Sequence, residues 1–212
     1  MKRAILTAII LLAGSSLSVE KTQAYPVTIY IKAEVDSVED TYNYLEGKIN
    51  VGDIITGYYT YESTTVDTNP LPDGADYWHY SPPAGIYLTA GGWNFQTDTS
   101  DVEFHVALRN DVQSEVKDIY AIASYNNSEL ANGSPVDKIS WQLNDYSGTA
   151  LSSDALPLTA PVLSDWQFNL LRIIGEKSNF FGIDAYVTSA IPEPSSILLI
   201  ALGTLFLCRK NK

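Results

Sequence analysis

The feature that most constrains this chain is an alternation of apolar and polar side chains with a period of two. In residues 27–35, VTIYIKAEV, every second residue from Val27 to Val35 is apolar, whereas the residues between them are polar or Tyr. Successive side chains of a β-strand point to opposite faces of the sheet, so this period is typical of a strand with one buried face. The pattern predicts a β-protein.

Nine segments carry this strand pattern, and turn-forming sequences separate them. The predicted strands are residues 27–35, 54–62, 85–90, 93–97, 102–110, 119–125, 138–144, 168–174 and 180–187. The spacers are rich in Gly, Pro, Asn, Asp and Ser, which favour turns, and Gly91-Gly92 is typical of a hairpin. Helix signals are nearly absent. We therefore expect an all-β domain over residues 25–188, an antiparallel β-sandwich or jelly-roll-like fold.

Composition excludes several classes of protein. The chain has 25 Asp and Glu against 13 Lys and Arg, a formal net charge of -12. Binding to nucleic acid requires clustered cations, so no nucleic-acid partner is expected. The 14 Tyr and 4 Trp favour a folded domain over disorder. The one cysteine, Cys208, lies in the C-terminal apolar run, which excludes an internal disulfide or a Cys-based zinc site in the predicted domain.

The first residues have the organisation of a secretory signal peptide. Lys2 and Arg3 precede the apolar residues 4–13, and small residues then lead to Ala24. This order of charge, apolar core and small-residue exit predicts cleavage after Ala24, with residues 1–24 removed. The chain would then be exported through the inner membrane.

The last residues combine two prolines, an apolar run and a basic end. Residues 197–208 carry no charge and would form a helix of roughly 18 Å, short of the roughly 30 Å hydrocarbon core. With the flanking residues included, a short transmembrane helix is feasible. The cluster Arg209, Lys210 and Lys212 then predicts a cytoplasmic C-terminus and a domain in the periplasm.

The motif Pro192-Glu193-Pro194, followed by the apolar run and the basic cluster, resembles the PEP-CTERM sorting signal of Gram-negative bacteria. The resemblance covers residues 189–212. It implies a transient membrane anchor and removal of the tail by an exosortase, a membrane protease. It also implies delivery to the cell surface or to an exopolysaccharide matrix outside the cell.

Candidate catalytic residues are few, and we do not expect an enzyme. His79 and His105 are the two histidines, and neither belongs to a nucleophile or metalloprotease motif. His105 lies on the polar phase of its predicted strand. Asp98, Asp101 and Glu103 are close in sequence, but a glycosidase needs two carboxyl groups at a set distance across a cleft, which spacing alone does not establish.

No cofactor is predicted. Calcium is the inorganic ligand for which the sequence contains a candidate site. Residues 67–76 contain Asp67, Asn69, Asp73 and Asp76, and calcium binds six to eight oxygen ligands from flexible loops. Leu71 stands where the EF-hand spacing requires a third ligand, so an acidic turn is the favoured interpretation.

Trp78 and Trp166 are the candidate glycan contacts, because their surroundings are typical of loops. Trp93 and Trp141 lie in phase with apolar neighbours and are predicted to be core residues. The sequence thus favours a structural or interaction-mediating surface or matrix protein. A carbohydrate-binding module for exopolysaccharide is the alternative, and a secreted glycoside hydrolase is the third hypothesis.

Overall fold

The computed structural model describes residues 25–176 and 180–193. Ala24 and the rest of the predicted signal peptide lie outside the described residues, as do Pro194, Arg209, Lys210, Lys212 and the predicted transmembrane helix. The described chain forms ten strands and one 3-10 turn: β1 (Pro26–Glu39), β2 (Ile54–Glu62), β3 (Gly74–His79), β4 (Gly85–Ala90), β5 (Trp93–Gln96), β6 (Phe104–Arg109), β7 (Asp118–Ser124), β8 (Val136–Asp145), the turn Leu163–Asp165, β9 (Phe168–Gly175) and β10 (Gly182–Pro192).

All ten strands belong to one antiparallel sheet, in the order β3-β6-β7-β8-β9-β10-β1-β2-β4-β5. The prediction of an all-β, antiparallel domain is confirmed. The strands do not separate into two hydrogen-bonded sheets, because β10 pairs with β9 on one side and with β1 on the other. The last strand of the chain therefore joins the two halves of the sheet.

The sheet curls so that one face encloses the core. Tyr59 on β2 and Tyr120 on β7 meet across the interior, and the Trp141 ring on β8 lies 6.0 Å from the rings of both. The edge strand β5 contacts the other half of the sheet, because the N–H of Ser128, in the segment after β7, donates to Gln96 O at 2.9 Å. Alternate residues of β1, from Val27 to Val35, are buried, as their period of two predicts.

Residues 146–167 contain no strand and cover part of this interior. The Tyr61 hydroxyl donates to Pro157 O at 2.6 Å, and the Tyr77 hydroxyl donates to Asp154 O at 3.0 Å. Two buried carboxylates anchor the start of the segment: Asp145 accepts from the N–H groups of residues 147, 149 and 150, and Asp118 accepts from that of Leu151. These hydrogen bonds replace those that the two carboxylates would otherwise make with water.

Strand β3 corrects the sequence analysis, which treated residues 67–76 as a turn and the surroundings of Trp78 as a loop. Ala75, Tyr77 and His79 alternate as buried residues, and Trp78 lies opposite His105 of β6. Trp78 is therefore on an edge strand of the sheet.

Strand β10 continues past residue 188 and ends at Pro192. None of the helical turns among residues 25–176 and 180–193 is long and apolar enough to cross a bilayer.

Candidate ligand-binding surface around Trp78

Four aromatic rings cluster on the outer face of the sheet near its β3 edge. The Trp78 ring is stacked on His105 at a centroid distance of 4.1 Å and an interplanar angle of 7°. Tyr80 lies 6.2 Å from Trp78 at 6°, and Tyr125 lies 5.8 Å away at 28°. We call Trp78, Tyr80, His105 and Tyr125 the Trp78 cluster.

Strand pairing positions the cluster. Trp78 lies opposite His105, and His105 lies opposite Ala123 of β7, so the imidazole has an aromatic neighbour on one side and a small one on the other. Trp78 and His105 each alternate with buried residues along their strands, so their side chains point away from the core. Tyr125 follows directly after β7, and Tyr80 follows directly after β3. Three chain segments thus supply the four rings.

The cluster is open to solvent at its sides. Tyr80 is 69% exposed and Tyr125 is 37% exposed, whereas Trp78 is half-buried between its neighbours. Lys138 places its Nζ 5.1 Å from the centroid of the Tyr125 ring, a cation–π contact. The exposed rings present flat apolar surface with polar hydroxyl groups at their tips.

A charged network lies beside the cluster on the same face of the sheet. The Asp76 carboxylate receives bonds from Arg109 Nη2 at 3.2 Å to each oxygen, and it lies 3.0 Å from His105 Nε2. Burial lowers the pKa of His105 below its usual value, although Asp76 acts in the opposite direction. With its pKa below 6.5, His105 is mainly neutral at pH 7, so its contact with Asp76 is chiefly a hydrogen bond, and Arg109 is the cation that pairs with this carboxylate.

A polar cleft of about 320 Å³ adjoins the cluster, and Tyr125 lines both. Its polar lining consists of Asp98, Asp101, Asn126, Asn127, Asp137 and Glu176. The Asn127 amide donates to Ser124 O and Asp137 O, whereas its Oδ1 is buried and accepts no hydrogen bond from the described residues. The cleft thus offers amide and carboxylate groups beside an aromatic surface.

Trp166, the other predicted glycan contact, is 7% exposed and belongs to the hydrophobic core. It lines a separate cleft of about 280 Å³ under residues 150–165, together with Tyr120. The structure does not place Trp166 in the Trp78 cluster. Trp93 and Trp141 are buried in the core, which confirms their predicted positions.

His79 is buried on the core side of β3 and donates to, or accepts from, the Thr65 hydroxyl at 3.1 Å through Nδ1. Burial, with a smaller contribution from His105, lowers the pKa of His79 to about 4. The neutral, buried His79 side chain therefore contributes to packing of the core.

The acidic turn of residues 67–76 uses its own side chains as acceptors. Asp67 Oδ1 accepts from the N–H groups of Asn69 and Asp76 at 2.8 and 2.9 Å, and the Asn69 amide donates to Asp76 Oδ2. Within the described residues, no group of three or more His, Cys, Asp or Glu side chains is arranged to hold a metal ion.

The sequence points to Trp78 and places Tyr80 beside it, but it does not bring His105 and Tyr125 to them. Tyr80 and Tyr125 stand in turn-like surroundings, and His105 was assigned to a solvated face. The one available signal was the density of rings in residues 77–80, YWHY. The meeting of that segment with Tyr125 depends on the order of β3, β6 and β7 in the sheet, which the sequence does not reveal.

Comparison with known proteins identifies a similarity at the C-terminal end of the chain. No curated protein and no solved structure matches the chain. A family model, the PEP-CTERM protein-sorting motif, matches residues 190–212. This segment includes Pro192 and Glu193, which end β10 and follow it, and it confirms the resemblance on which the sequence analysis relied. The chain carries a PEP-CTERM protein-sorting motif, and it is thereby an export substrate that passes through a membrane-anchored stage before an exosortase processes it.

Proposed function

We propose that this protein is a surface or matrix component that acts by binding, and that its ligand is an exopolysaccharide held at the Trp78 cluster. The sorting motif supports delivery of the domain to the cell surface. A domain delivered there meets the polymers of the matrix at high local concentration.

The stacked geometry of Trp78 is the observation that carries this proposal. Sugar rings have apolar C–H faces that pack on flat aromatic rings, and hydroxyl groups around their rims that need hydrogen-bond partners. Tyr80 and Tyr125 add further aromatic surface next to Trp78. The adjoining cleft supplies polar groups, among them the side chains of Asn126 and Asp137.

The charge of the protein narrows the class of polymer. The chain has a net charge of -12, and Asp98, Asp101, Asp137 and Glu176 line the cleft. Such a surface repels polyanions such as uronic-acid polymers. We therefore propose a neutral polysaccharide or one that contains amino sugars.

We also propose that the domain is not an enzyme and needs no cofactor. His79 is enclosed in the core, and His105 is committed to Trp78 and Asp76, so neither histidine is placed to move a substrate proton. Among the cleft carboxylates, Asp98 accepts from both the N–H and the hydroxyl of Ser100, bonds that favour a fixed anion over an acid that donates a proton.

Affinity electrophoresis through gels that contain the exopolysaccharide of the producing bacterium tests the proposal. Trp78→Ala and Tyr80→Ala should each weaken retardation about tenfold, a loss of about 1.4 kcal/mol. Tyr42→Ala is the matched control, because Tyr42 is 68% exposed and packs on one tyrosine away from the cluster. Equal retardation of wild type and both cluster variants would exclude this binding surface. Release of reducing sugar ends would contradict the non-catalytic role.

A further inference from the structure

A second group of aromatic rings crosses the outer face of the sheet, on strands that do not contribute to the Trp78 cluster. Tyr30 of β1, Tyr58 of β2 and Tyr87 of β4 lie directly opposite one another in the strand register. The ring centroids of Tyr30 and Tyr58 are 5.6 Å apart, and those of Tyr58 and Tyr87 are 5.7 Å apart. We call these three residues the tyrosine row.

The tyrosine row points away from the core and is open to solvent. Tyr30 and Tyr58 are each 38% exposed, and Tyr87 is half-buried beside them. Their neighbours along the chain, such as Tyr59 and Leu88, are buried on the opposite face of the sheet. Each strand of the row is paired on both sides, so the row offers side chains to a partner and no free backbone edge.

Hydroxyl groups border the row on both sides. Thr28 and Thr60 share a hydrogen bond of 3.1 Å on one side, and Thr56 and Thr89 share one of 3.2 Å on the other. Among the described residues of β1, β2 and β4, Lys32 is the one charged side chain next to the row on the outer face. The row thus combines flat apolar surface with neutral polar groups, which suits a hydroxyl-rich sugar polymer better than a charged partner.

The segment after β5 connects the row to the surface around Trp78. Tyr87 is opposite Gln96 of β5, and both line a cleft of about 120 Å³. The Asp98 N–H then donates to the C=O of Asn126 at 3.0 Å, and Asp98 lines the larger cleft that Tyr125 shares with the Trp78 cluster. The two aromatic surfaces are therefore neighbours along the outside of the curled sheet.

On the basis of the function proposed for the Trp78 cluster, we propose that the tyrosine row is a second binding surface for the same polysaccharide, and that the ligand is an extended polymer chain held at both places. Neighbouring strands lie about 4.8 Å apart, so the rings of the row follow one another at a spacing close to that of successive sugar residues in an extended chain. Binding at one surface raises the local concentration of the polymer at the other, so a long chain binds more tightly than either surface alone permits.

Nuclear magnetic resonance of the exported protein tests the row separately from the Trp78 cluster. The probe is a set of short oligosaccharides obtained by partial hydrolysis of the exopolysaccharide of the producing bacterium. We expect the ring signals of Trp78 and of the tyrosine row to shift on titration. In Tyr58→Ala the shift at Tyr30 should be lost and the shift at Trp78 kept, whereas Trp78→Ala should give the reverse result.

The two proposals fail in different ways in this experiment. Shifts at Trp78 without shifts in the row would overturn the second surface and uphold the function proposed for the Trp78 cluster. Shifts in the row without shifts at Trp78 would support the row and refute the Trp78 surface.

Affinity electrophoresis with the intact polymer tests whether both surfaces hold one chain. Tyr58→Ala should weaken retardation about tenfold, because it removes the gain from joint binding. Tyr58→Phe keeps the flat ring and should bind as wild type does. Tyr186→Ala is the matched control, since Tyr186 is 54% exposed on the outer face but lies opposite Glu34 and outside the row. Unchanged retardation of Tyr58→Ala, or self-association of wild type that this variant abolishes in sedimentation, would make the row a contact of another kind and overturn the proposal.

Discussion

The hydroxyl groups of Tyr59 and Tyr120 lie 2.8 Å apart, although four strands separate β2 from β7 in the sheet order. Both side chains are fully buried. This hydrogen bond therefore links the two halves of one curled sheet across the core.

Removal of that bond should destabilise the domain. Tyr59→Phe and Tyr120→Phe each deprive a buried hydroxyl of this partner, and we expect each to lower the free energy of unfolding by about 1–2 kcal/mol. The double variant should cost less than the sum of the two, since the second change removes the hydroxyl that the first left behind. Urea denaturation of the mature protein measures all three. Strict additivity would contradict the pairing.

The same tyrosines predict a loss of stability at alkaline pH. Burial raises the pKa of Tyr59, Tyr61 and Tyr120 far above the usual value of 10.0. The unfolded chain releases these protons from about pH 10, whereas the folded chain retains them, so stability is full below pH 10 and falls as pH rises further. Each such tyrosine adds about 1.4 kcal/mol per pH unit to the decline. Urea midpoints at rising pH should fall less steeply for Tyr59→Phe than for wild type.

His79 predicts a loss of stability on the acid side. Its pKa in the folded protein is about 4, lowered from 6.5 mainly by burial. Below pH 6.5 the unfolded chain binds a proton that the folded chain refuses, so the contribution of His79 is present above that pH and is lost as pH falls towards 4. The loss amounts to up to about 3 kcal/mol. The difference between wild type and His79→Phe, measured from pH 7 to 4, should shrink by this amount. A constant difference would mean that His79 titrates freely.

Gly57 is required by the close approach of β2 to β4. A Cβ built on Gly57 would lie 2.0 Å from the backbone oxygen of Tyr87, which cannot move without loss of the strand pairing. We expect Gly57→Ala to cost about 3 kcal/mol or more, as overpacked sites do. Gly182→Ala is the control, because its Cβ would meet the Phe180 ring at an ordinary 3.5 Å. Comparable urea midpoints for the two variants would show that β4 lies farther from β2.

Calcium should leave the stability of the protein unchanged. Asp67 and Asn69 already accept backbone N–H groups within the acidic turn, and Asp76 is bonded by Arg109. A ligand that binds only the folded state raises its stability, so thermal unfolding with millimolar calcium or with chelator is a direct measurement. A rise in the unfolding midpoint that Asp73→Asn abolishes would establish a calcium site.

The sequence analysis located the strands well where buried positions hold apolar residues. Its segments 54–62 and 85–90 coincide with β2 and β4, where most positions that face the core are apolar, such as Ile55, Tyr59 and Leu88. It missed β3 because one of the core positions of that short strand is His79, a polar residue that interrupts the apolar pattern, and because prolines flank the segment. A hydrogen bond to Thr65 makes the buried imidazole tolerable, and that partner comes from another segment of the chain.

The order of the strands in the sheet could not be predicted from the sequence either, because it also depends on contacts between distant segments. Nothing local in residues 182–192 indicates that they pair with β1, more than 140 positions earlier in the chain, and the pairing follows from the closure of the whole core. The contacts of Trp78 with His105 and Tyr125 depend on the same long-range order, so the sequence does not reveal them.

Because β10 fills the gap between β9 and β1, the two halves of the sheet cannot pair through a strand there until residues 182–192 are available. During export, the segment that forms β10 follows all the other strands, and its last residues already belong to the sorting motif. Completion of the sheet must therefore wait for this segment, and pairings between such distant segments form slowly. The membrane-anchored stage that precedes processing keeps the exported polypeptide at the membrane while this pairing forms.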